Sequence, residues 1–328
     1  MTPIAVPPLR RRPPPASPPM SRRTLVISDL HLGRGGLDLP RALEPVIAET
    51  DELVLNGDVA ELHLPHHRDA AARGVESLRR RAERLGVGIT FLAGNHDPLI
   101  GPRRHLELAD GVVFATHGDA VHPSLAPWSP SAASLQETYL RRLESFPPQE
   151  RTRLESVLSA SRDAASREWE RTALARGSGR PWRLLARPLA LLRISLFWRE
   201  YPGLVADFAL RYAPASRFVL VGHSHRPGAW RIGGRVVLNT GAFRVPHQPH
   251  AVRLDDGSIA LVRLIREGRR YRLGAASPDR HWPLPAPERI AARTFDGGTR
   301  PSTAPIAEEA AATDSRLAPV AMPLRAQT

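Results

Sequence analysis

The 328-residue chain contains neither cysteine nor lysine. Without cysteine it can form no disulfide and no thiolate-metal bond, so any bound metal must sit among nitrogen and oxygen donors. Without lysine, all 46 basic residues are arginine. A GC-rich coding bias, which also favours alanine and proline, accounts for that usage without any function. Arginine nevertheless suits phosphate, because its planar fork donates paired hydrogen bonds. No stretch approaches the roughly 18–20 apolar residues of a membrane span. An apolar leader is missing too: Arg10–Arg12 run into prolines, and no signal peptide is expected. The expectation is a soluble cytoplasmic protein, or one peripheral to the inner membrane. Acidic residues number 33, leaving a formal charge of +13. Such a surface implies anionic partners, whether nucleotide, nucleic acid or acidic lipid, and charge alone does not choose among them.

The length accommodates one large domain or two small ones with a full core. Residues 1–23 hold eight prolines, five arginines and no acid, and read as a disordered tail. Met20 stands just before the first strand and is a candidate start. Residues 275–328, rich in Pro, Ala and Thr, read as a second disordered tail. Between the tails, 24–274 forms the expected domain. Leu37–Glu49 and Ala70–Leu85 have helical spacing, with Gly86 as a C-cap for the latter. Strands are expected at 217–221, 235–239, 251–254 and 259–265, the last two joined by the turn Asp255-Asp256-Gly257. Helices interleaved with strands, followed by a strand-only stretch, suit a layered α/β sandwich. Residues 124–215 interrupt this plan as a helical insertion, with helices at Leu135–Phe146, Glu150–Leu174 and Trp182–Tyr212, the last broken near Pro188 and Pro202. Within it, 171–199 carries seven arginines, no acid, and Trp182, Phe197 and Trp198. That segment suits either packing on the sandwich or contact with an anionic membrane surface.

Five patches carry metal-binding side chains: Asp29-Leu30-His31, Gly57-Asp58, Gly94-Asn95-His96-Asp97, His117-Gly118-Asp119 and Gly222-His223-Ser224-His225. Each follows a short apolar run, at Leu25–Ile27, Leu53–Leu55, Ile89–Ala93, Val112–Ala115 and Phe218–Val221. Such runs read as buried strands, and ligands gather beyond the carboxyl ends of strands in α/β sheets. At least seven donors should therefore converge at one end of one sheet, as a two-metal site. Asp29 and His31, two apart on an extended segment, would share a face. Asp58 is the natural bridging carboxylate, Asn95 offers an amide oxygen, and His117, His223 and His225 offer imidazoles. A metal pair about 3.5–4 Å apart clamps a phosphoryl group and acidifies a bridging water. His96 should point at the leaving group, with Asp97 fixing its tautomer or raising its basicity. Singly, an Asp-x-His or a Gly-Asp is a common loop feature; it is the five together that carry the reading.

The series Asp-x-His, Gly-Asp, Gly-Asn-His-Asp, His and Gly-His-x-His resembles the calcineurin-like metallophosphoesterases, over residues 24–122 and 216–265. The resemblance implies a sandwich of two β-sheets flanked by helices. It also implies that Asp29, His31, Asp58 and His225 hold one metal and Asp58, Asn95, His117 and His223 the other. His96 would be the catalytic imidazole with Asp97 behind it, and Asn239-Thr240-Gly241 the family's loop after the paired histidines. The metals implied are Mn, Fe or Zn. Ser28–Leu32, Asp97–Gly101 and His117-Gly118-Asp119, with the insertion, look most like bacterial UDP-2,3-diacylglucosamine pyrophosphatases. Two positions depart from that group. His96 stands where its members carry arginine, and Val59-Ala60-Glu61 where they carry an aromatic.

The leading expectation is thus a binuclear phosphodiesterase or pyrophosphatase acting on a phosphorylated small-molecule, nucleotide-sugar or lipid-linked substrate, with the insertion as a lid. A nuclease or nucleotide phosphodiesterase is the alternative, and a non-catalytic scaffold is a third. Weaker substrate candidates are Arg34, Asp119 and Arg226, with His122 near the cleft. His63, His66 and His67 read as a solvated helix start.

Overall fold

Residues alternate sides along a strand, and in this protein both sides are covered. The computed structural model describes residues 22–174, 188–244, 248–255 and 257–284. Strands β1 (Thr24–Ile27), β2 (Glu52–Asn56) and β3 (Gly88–Leu92) pair in parallel. Antiparallel β9 (His250–Asp255), β10 (Ser258–Glu267) and β11 (Arg270–Leu273) extend this first sheet in the order β11-β10-β9-β1-β2-β3. The second sheet runs β4-β5-β6-β8-β7, from β4 (His105–Leu108), β5 (Val113–Thr116), β6 (Phe218–Val221), β7 (Gly228–Ile232) and β8 (Arg235–Asn239). Its centre, β5-β6-β8, is also parallel. Val26, Val54, Ala115, Phe218, Leu220 and Leu238 fill the space between the sheets. Their neighbours Leu25, Ile27, Leu53 and Leu55 face the opposite way, into a core shared with helix α3 (Pro65–Arg84). On the outer side of the second sheet, Phe114, Val219, Val221 and Val237 pack under the inserted helices. The result is the expected two-sheet sandwich with helices on both outer faces.

All five apolar runs before the ligand patches are strands, and so are the four later segments, with β9 and β10 paired as the expected hairpin. The short β4, β7 and β11 lack a strong apolar run and were not expected. The helix expected over Leu37–Glu49 is two single turns, α1 (Leu39–Ala42) and α2 (Glu44–Ile47). Each carries a proline in its first turn, and Pro45 cannot donate to the carbonyl four residues back. Helix α3 starts earlier than expected, with Pro65 at its first position, where a missing N–H costs nothing. Its end is as expected: Gly86, at φ +70°, donates to Glu83 O, and Val87 to Ala82 O, closing a Schellman motif.

Two boundaries differ from expectation. The domain does not stop at 274, because β12 (His281–Pro283) pairs with β10 and buries Trp282 against Phe218. The insertion is more than a lid. Helices α4 (Ala132–Glu144), α5 (Leu154–Leu174) and α6 (Pro188–Tyr212) form the outer layer of the second sheet. Helix α6 is not broken at Pro202, which lies inside it. Pro202 leaves Trp198 O without its usual donor, and Arg226 Nη1 supplies one at 3.1 Å. Expectations for 1–21, including Met20, for 175–187 and for 285–328 fall outside the described residues. No described helix is long and apolar enough to cross a membrane.

If β12 is integral, Trp282→Ala should destabilise the protein by about 3–5 kcal/mol through the cavity it leaves, read as a lowered urea midpoint. An unchanged midpoint would return residues after 274 to the status of a tail.

Candidate metal centre

The parallel strands of both sheets end on the same side, and their exits build the site. Asp29 and His31 follow β1, Asp58 follows β2 and Asn95 follows β3. From the second sheet, His117 follows β5, and His223 and His225 follow β6. The donors therefore come from two sheets rather than one. Nor are the paired donors on extended segments. Asp29, His31, Asp58, His223 and His225 all have positive φ, between 49° and 62°, a conformation non-glycine residues hold only under compulsion from their surroundings. Convergence is thus produced by tight turns, not by strand alternation. Two glycines make room for it. A Cβ at Gly94 would collide with Asp58 Oδ1, and one at Gly222 with Asp29 Oδ2.

Two donor sets share Asp58. In the first, Asp29, His31, Asp58 and His225 offer atoms all within 4.8 Å of one another. His225 Nε2 lies 3.2 Å from Asp29 Oδ1 and 3.1 Å from His31 Nε2. In the second, Asp58, His117 and His223 cluster likewise, and Asn95 Oδ1 joins them 2.9 Å from His223 Nδ1. Three of the imidazoles are oriented through their other nitrogen. His31 Nδ1 meets Glu61 Oε1 at 2.7 Å, His117 Nδ1 donates to Asn56 O at 2.9 Å, and His223 Nε2 donates to Leu125 O at 2.8 Å. Anchoring one ring nitrogen fixes the orientation of the ring and turns the other nitrogen inward, as metal-ligating histidines require.

That arrangement fits cations. His117 Nε2 is buried without a hydrogen-bond partner and faces Asp58 Oδ2 at 3.3 Å. His223 Nδ1 faces Asn95 Oδ1 although, with its proton on Nε2, neither atom is a donor. Charge says the same. Burial alone would lower His117, but Asp58 chiefly, with Asp29 and Asp119, pushes it up to about 10. Asp58 itself lies well below the ordinary carboxylate range: burial opposes this, and the surrounding imidazoles prevail. The pocket is built to hold positive charge.

Behind His31 lies a residue that sequence reasoning did not assign. Glu61, fully buried, meets His31 Nδ1 with one oxygen and His96 Nδ1 with the other, at 3.0 Å, and pairs with Arg34. Its spacing, three residues after Asp58, was the available signal. Glu61, rather than Asp97, is the carboxylate that meets the His96 ring. The Asp97 carboxylate does not meet the His96 ring; it accepts backbone N–H groups of Asp58, Val59, Ala60 and Gly94 at 2.6–3.2 Å, shaping the turn that presents Asp58. His96 does line the cleft, its N–H on Asp58 Oδ1 at 2.8 Å and its Nε2 4.0 Å from Asp58 Oδ2. Burial would lower its pKa, yet Asp58 and Glu61 push it up to about 9.

The weaker candidates sort differently. Asp119 is buried away from the cleft, paired with Arg104 and accepting from Ser161 Oγ at 2.7 Å, so it is a structural ion pair. Arg226 is tied to Trp198 O, as above. His122 is absent from the cleft lining and accepts from Ser124 N–H at 3.1 Å. Among the three histidines, His66 is exposed and His67 half-buried. His63 is buried instead, stacked on Trp169 at 4.8 Å, with Nδ1 donating to His96 O. The insertion closes the cleft of about 450 Å³ with Trp128, Trp169, Ile194 and Trp198. It also holds the ligand turns by their backbones. Trp169 Nε1 donates to Asn95 O, Trp198 Nε1 to Ser224 O and Tyr201 Oη to Gly222 O, at 2.9–3.1 Å.

Residues 22–227, more than half the chain, match the model of the calcineurin-like phosphoesterase family. No curated protein matches the sequence. Similar solved structures include a dimetal phosphatase from Danio rerio at 12% identity and TM-score 0.40, covering 78% of this chain and 99% of that one. Vps29 from Chaetomium thermophilum is 10% identical, TM-score 0.41, with 82% and 100% covered. The phosphoesterase Yfce from E. coli is 16% identical, TM-score 0.33, with 73% and 91% covered. Likeness at that level says nothing about what this chain does.

Glu61→Gln should weaken metal affinity by about 10–100-fold, the usual effect of losing a carboxylate behind a ligating histidine. Metal analysis after dialysis measures it, and wild-type retention would deny Glu61 that role. Asp119→Ala leaves Arg104 buried and unpaired, and should cost about 3–5 kcal/mol in urea unfolding; a cost near zero would mean that Arg104 reaches water.

Proposed function

The chain belongs to the calcineurin-like phosphoesterase family, and from that premise we propose that it is a binuclear metal-dependent hydrolase of phosphate esters, a phosphodiesterase or pyrophosphatase. The observation that carries this reading is the single carboxylate of Asp58 shared by two donor sets whose imidazoles are oriented from behind. Asp29, His31, Asp58 and His225 would hold one divalent ion; Asp58, Asn95, His117 and His223 would hold the other, manganese being the first to try. Bound there, the pair supplies Lewis-acid polarisation of the phosphoryl group and a nucleophile at neutral pH. His96 then has one ring nitrogen anchored on Glu61 and the other free to give a proton to the leaving oxygen. Asp97 keeps the turn of Asp58 in place. The tryptophans of the insertion exclude water from the opposite wall and hold the turns that carry Asn95 and His223.

A nucleotide-sugar or lipid-linked substrate is favoured by the far end of the cleft. There Ile194 and Trp198 of α6 line the cavity, while Leu191, Leu192 and Leu196 of the same helix are exposed. An apolar edge of this kind beside a phosphate site suits an amphiphile, presented at the surface of the inner membrane to a cytoplasmic enzyme. The nuclease reading is favoured by the excess of arginine, and predicts binding that falls steeply with salt. A scaffold role is disfavoured by an intact donor set.

Metal-stripped protein resupplied with Mn²⁺ should hydrolyse bis-p-nitrophenyl phosphate, and Asp58→Asn should lose both activity and the metal pair. His96→Ala should keep its metal while turnover falls by about 10²–10⁴, as for a lost general acid. Loss of metal in that variant would make His96 a ligand, and inactivity of wild type with every divalent metal would return the scaffold reading.

A further inference from the structure

A second cavity, of about 680 Å³, lies on the other side of His31, between the glycine loop after β1, helix α3, residues 243–244 and the β10–β11 edge. Arg34, Arg73, Arg244 and Arg266 line it, against one carboxylate, Asp38. Asp38 is already engaged, its side chain capping the N–H of Arg41. An adjoining cavity that shares Asp38 adds Arg269 and Arg270. Among the described residues, Arg73 and Arg244 make no ion pair or side-chain hydrogen bond. Arg34 pairs with Glu61, whose carboxylate is shared with His31 and His96. Four guanidinium groups therefore stand against Asp38 and the Glu61 carboxylate, and the cavity carries an excess of positive charge. Burial, then the Arg34 charge, lowers the Arg244 pKa, as crowding among cations does.

The wall facing these arginines is open backbone. Gly35 and Gly36 have positive φ, and a Cβ at either would meet nothing within 4 Å. The site is also tied to the metal centre at two points. Phe243 N–H donates to Asp29 O at 3.2 Å, which fixes the segment bearing Arg244. Glu61 joins Arg34 on this side to His96 in the cleft. Forked guanidinium donors over a glycine loop make a recognition surface for phosphate oxygens.

We propose that this arginine cavity binds a phosphate group distinct from the one hydrolysed, either a second phosphate of the substrate or free phosphate acting on the enzyme. The identification of a hydrolysed phosphate rests on the phosphoesterase reading; the anion site itself does not.

The test is equilibrium dialysis of the full-length protein against radiolabelled inorganic phosphate at low ionic strength, with and without a chelator. Phosphate on the metal centre leaves with the metals. Phosphate in the arginine cavity stays, and the double variant Arg73→Ala/Arg244→Ala should weaken its binding by about ten-fold or more, since hydrogen bonds to charged groups are the strong ones. Both arginines are exposed at the surface, so the variant should fold. No chelator-resistant phosphate in wild type, or equal affinity in the variant, overturns the proposal. A second arm separates the two sources by comparing kcat/KM for thymidine 5′-(p-nitrophenyl phosphate) and its 3′-phosphorylated analogue. A preference for the analogue that vanishes in the double variant assigns the cavity to the substrate. Equal rates beside chelator-resistant binding assign it to free phosphate. If neither ester is hydrolysed, the phosphoesterase reading fails, and dialysis still decides the cavity.

Discussion

Three carboxylates, Asp29, Asp58 and Glu61, are buried within hydrogen-bond reach of one group of imidazoles. Taking a carboxylate out of water costs several kcal/mol unless positive charge or donors replace the water, and much of the structure around the strand ends answers that requirement. Glu61 is met by two imidazoles and a guanidinium. Asp97, also buried, is met by four backbone N–H groups. Asp29 accepts from the His223 backbone N–H and Asp58 from the His96 backbone N–H. Both carboxylates also face imidazole ring nitrogens, a donor set that fits cations. Strained left-handed turns at five of the donors are sustained for the same reason, since relaxing any one would separate donor from charge.

Both sheets contribute, so the site depends on how they pack. The apolar layer of Val26, Val54, Ala115, Phe218 and Leu220 sets the distance between β1–β3 and β5–β6, and with it the distance between the halves of the metal centre. The inserted helices then do two things at once. They cover the outer face of the second sheet, and they hold the ligand turns by indole and phenol hydrogen bonds to Asn95, Gly222 and Ser224. The same tryptophans line the cleft, so Trp169 and Trp198 both bound it and anchor the turns that carry the candidate donors.

Much of this was legible in advance. A buried strand announces itself by a short apolar run, and the residue just after it by its chemistry, so the seven side chains that the fold brings together, and the strands before them, were legible locally. Where reasoning stayed local it also erred. Two-residue spacing in Asp29-x-His31 suggested a shared strand face, but the turns are left-handed. The adjacency of Asp97 to His96 suggested a pair, but Asp97 turns back to backbone N–H groups. Asp119 and Arg226 sit beside donors in sequence and serve the core and helix α6 instead. Trp282 sits in a stretch without periodicity, and only the β10 edge gives it a place.

The sequence by itself determined the chemistry on offer: oxygen and nitrogen donors without thiolate, delivered at strand ends, in an order that resembles one family of phosphoesterases. Tertiary structure decided which atoms meet. The pairing of Glu61 with His96 joins residues 35 apart, that of Asp97 with the Asp58 amide 39 apart, and that of Trp169 with Asn95 74 apart. No local pattern encodes such pairings. They arise because burying the two sheets against each other and against the inserted helices takes water away from each buried charge and orphaned carbonyl. Each must then be met by whatever protein groups the packing brings within reach.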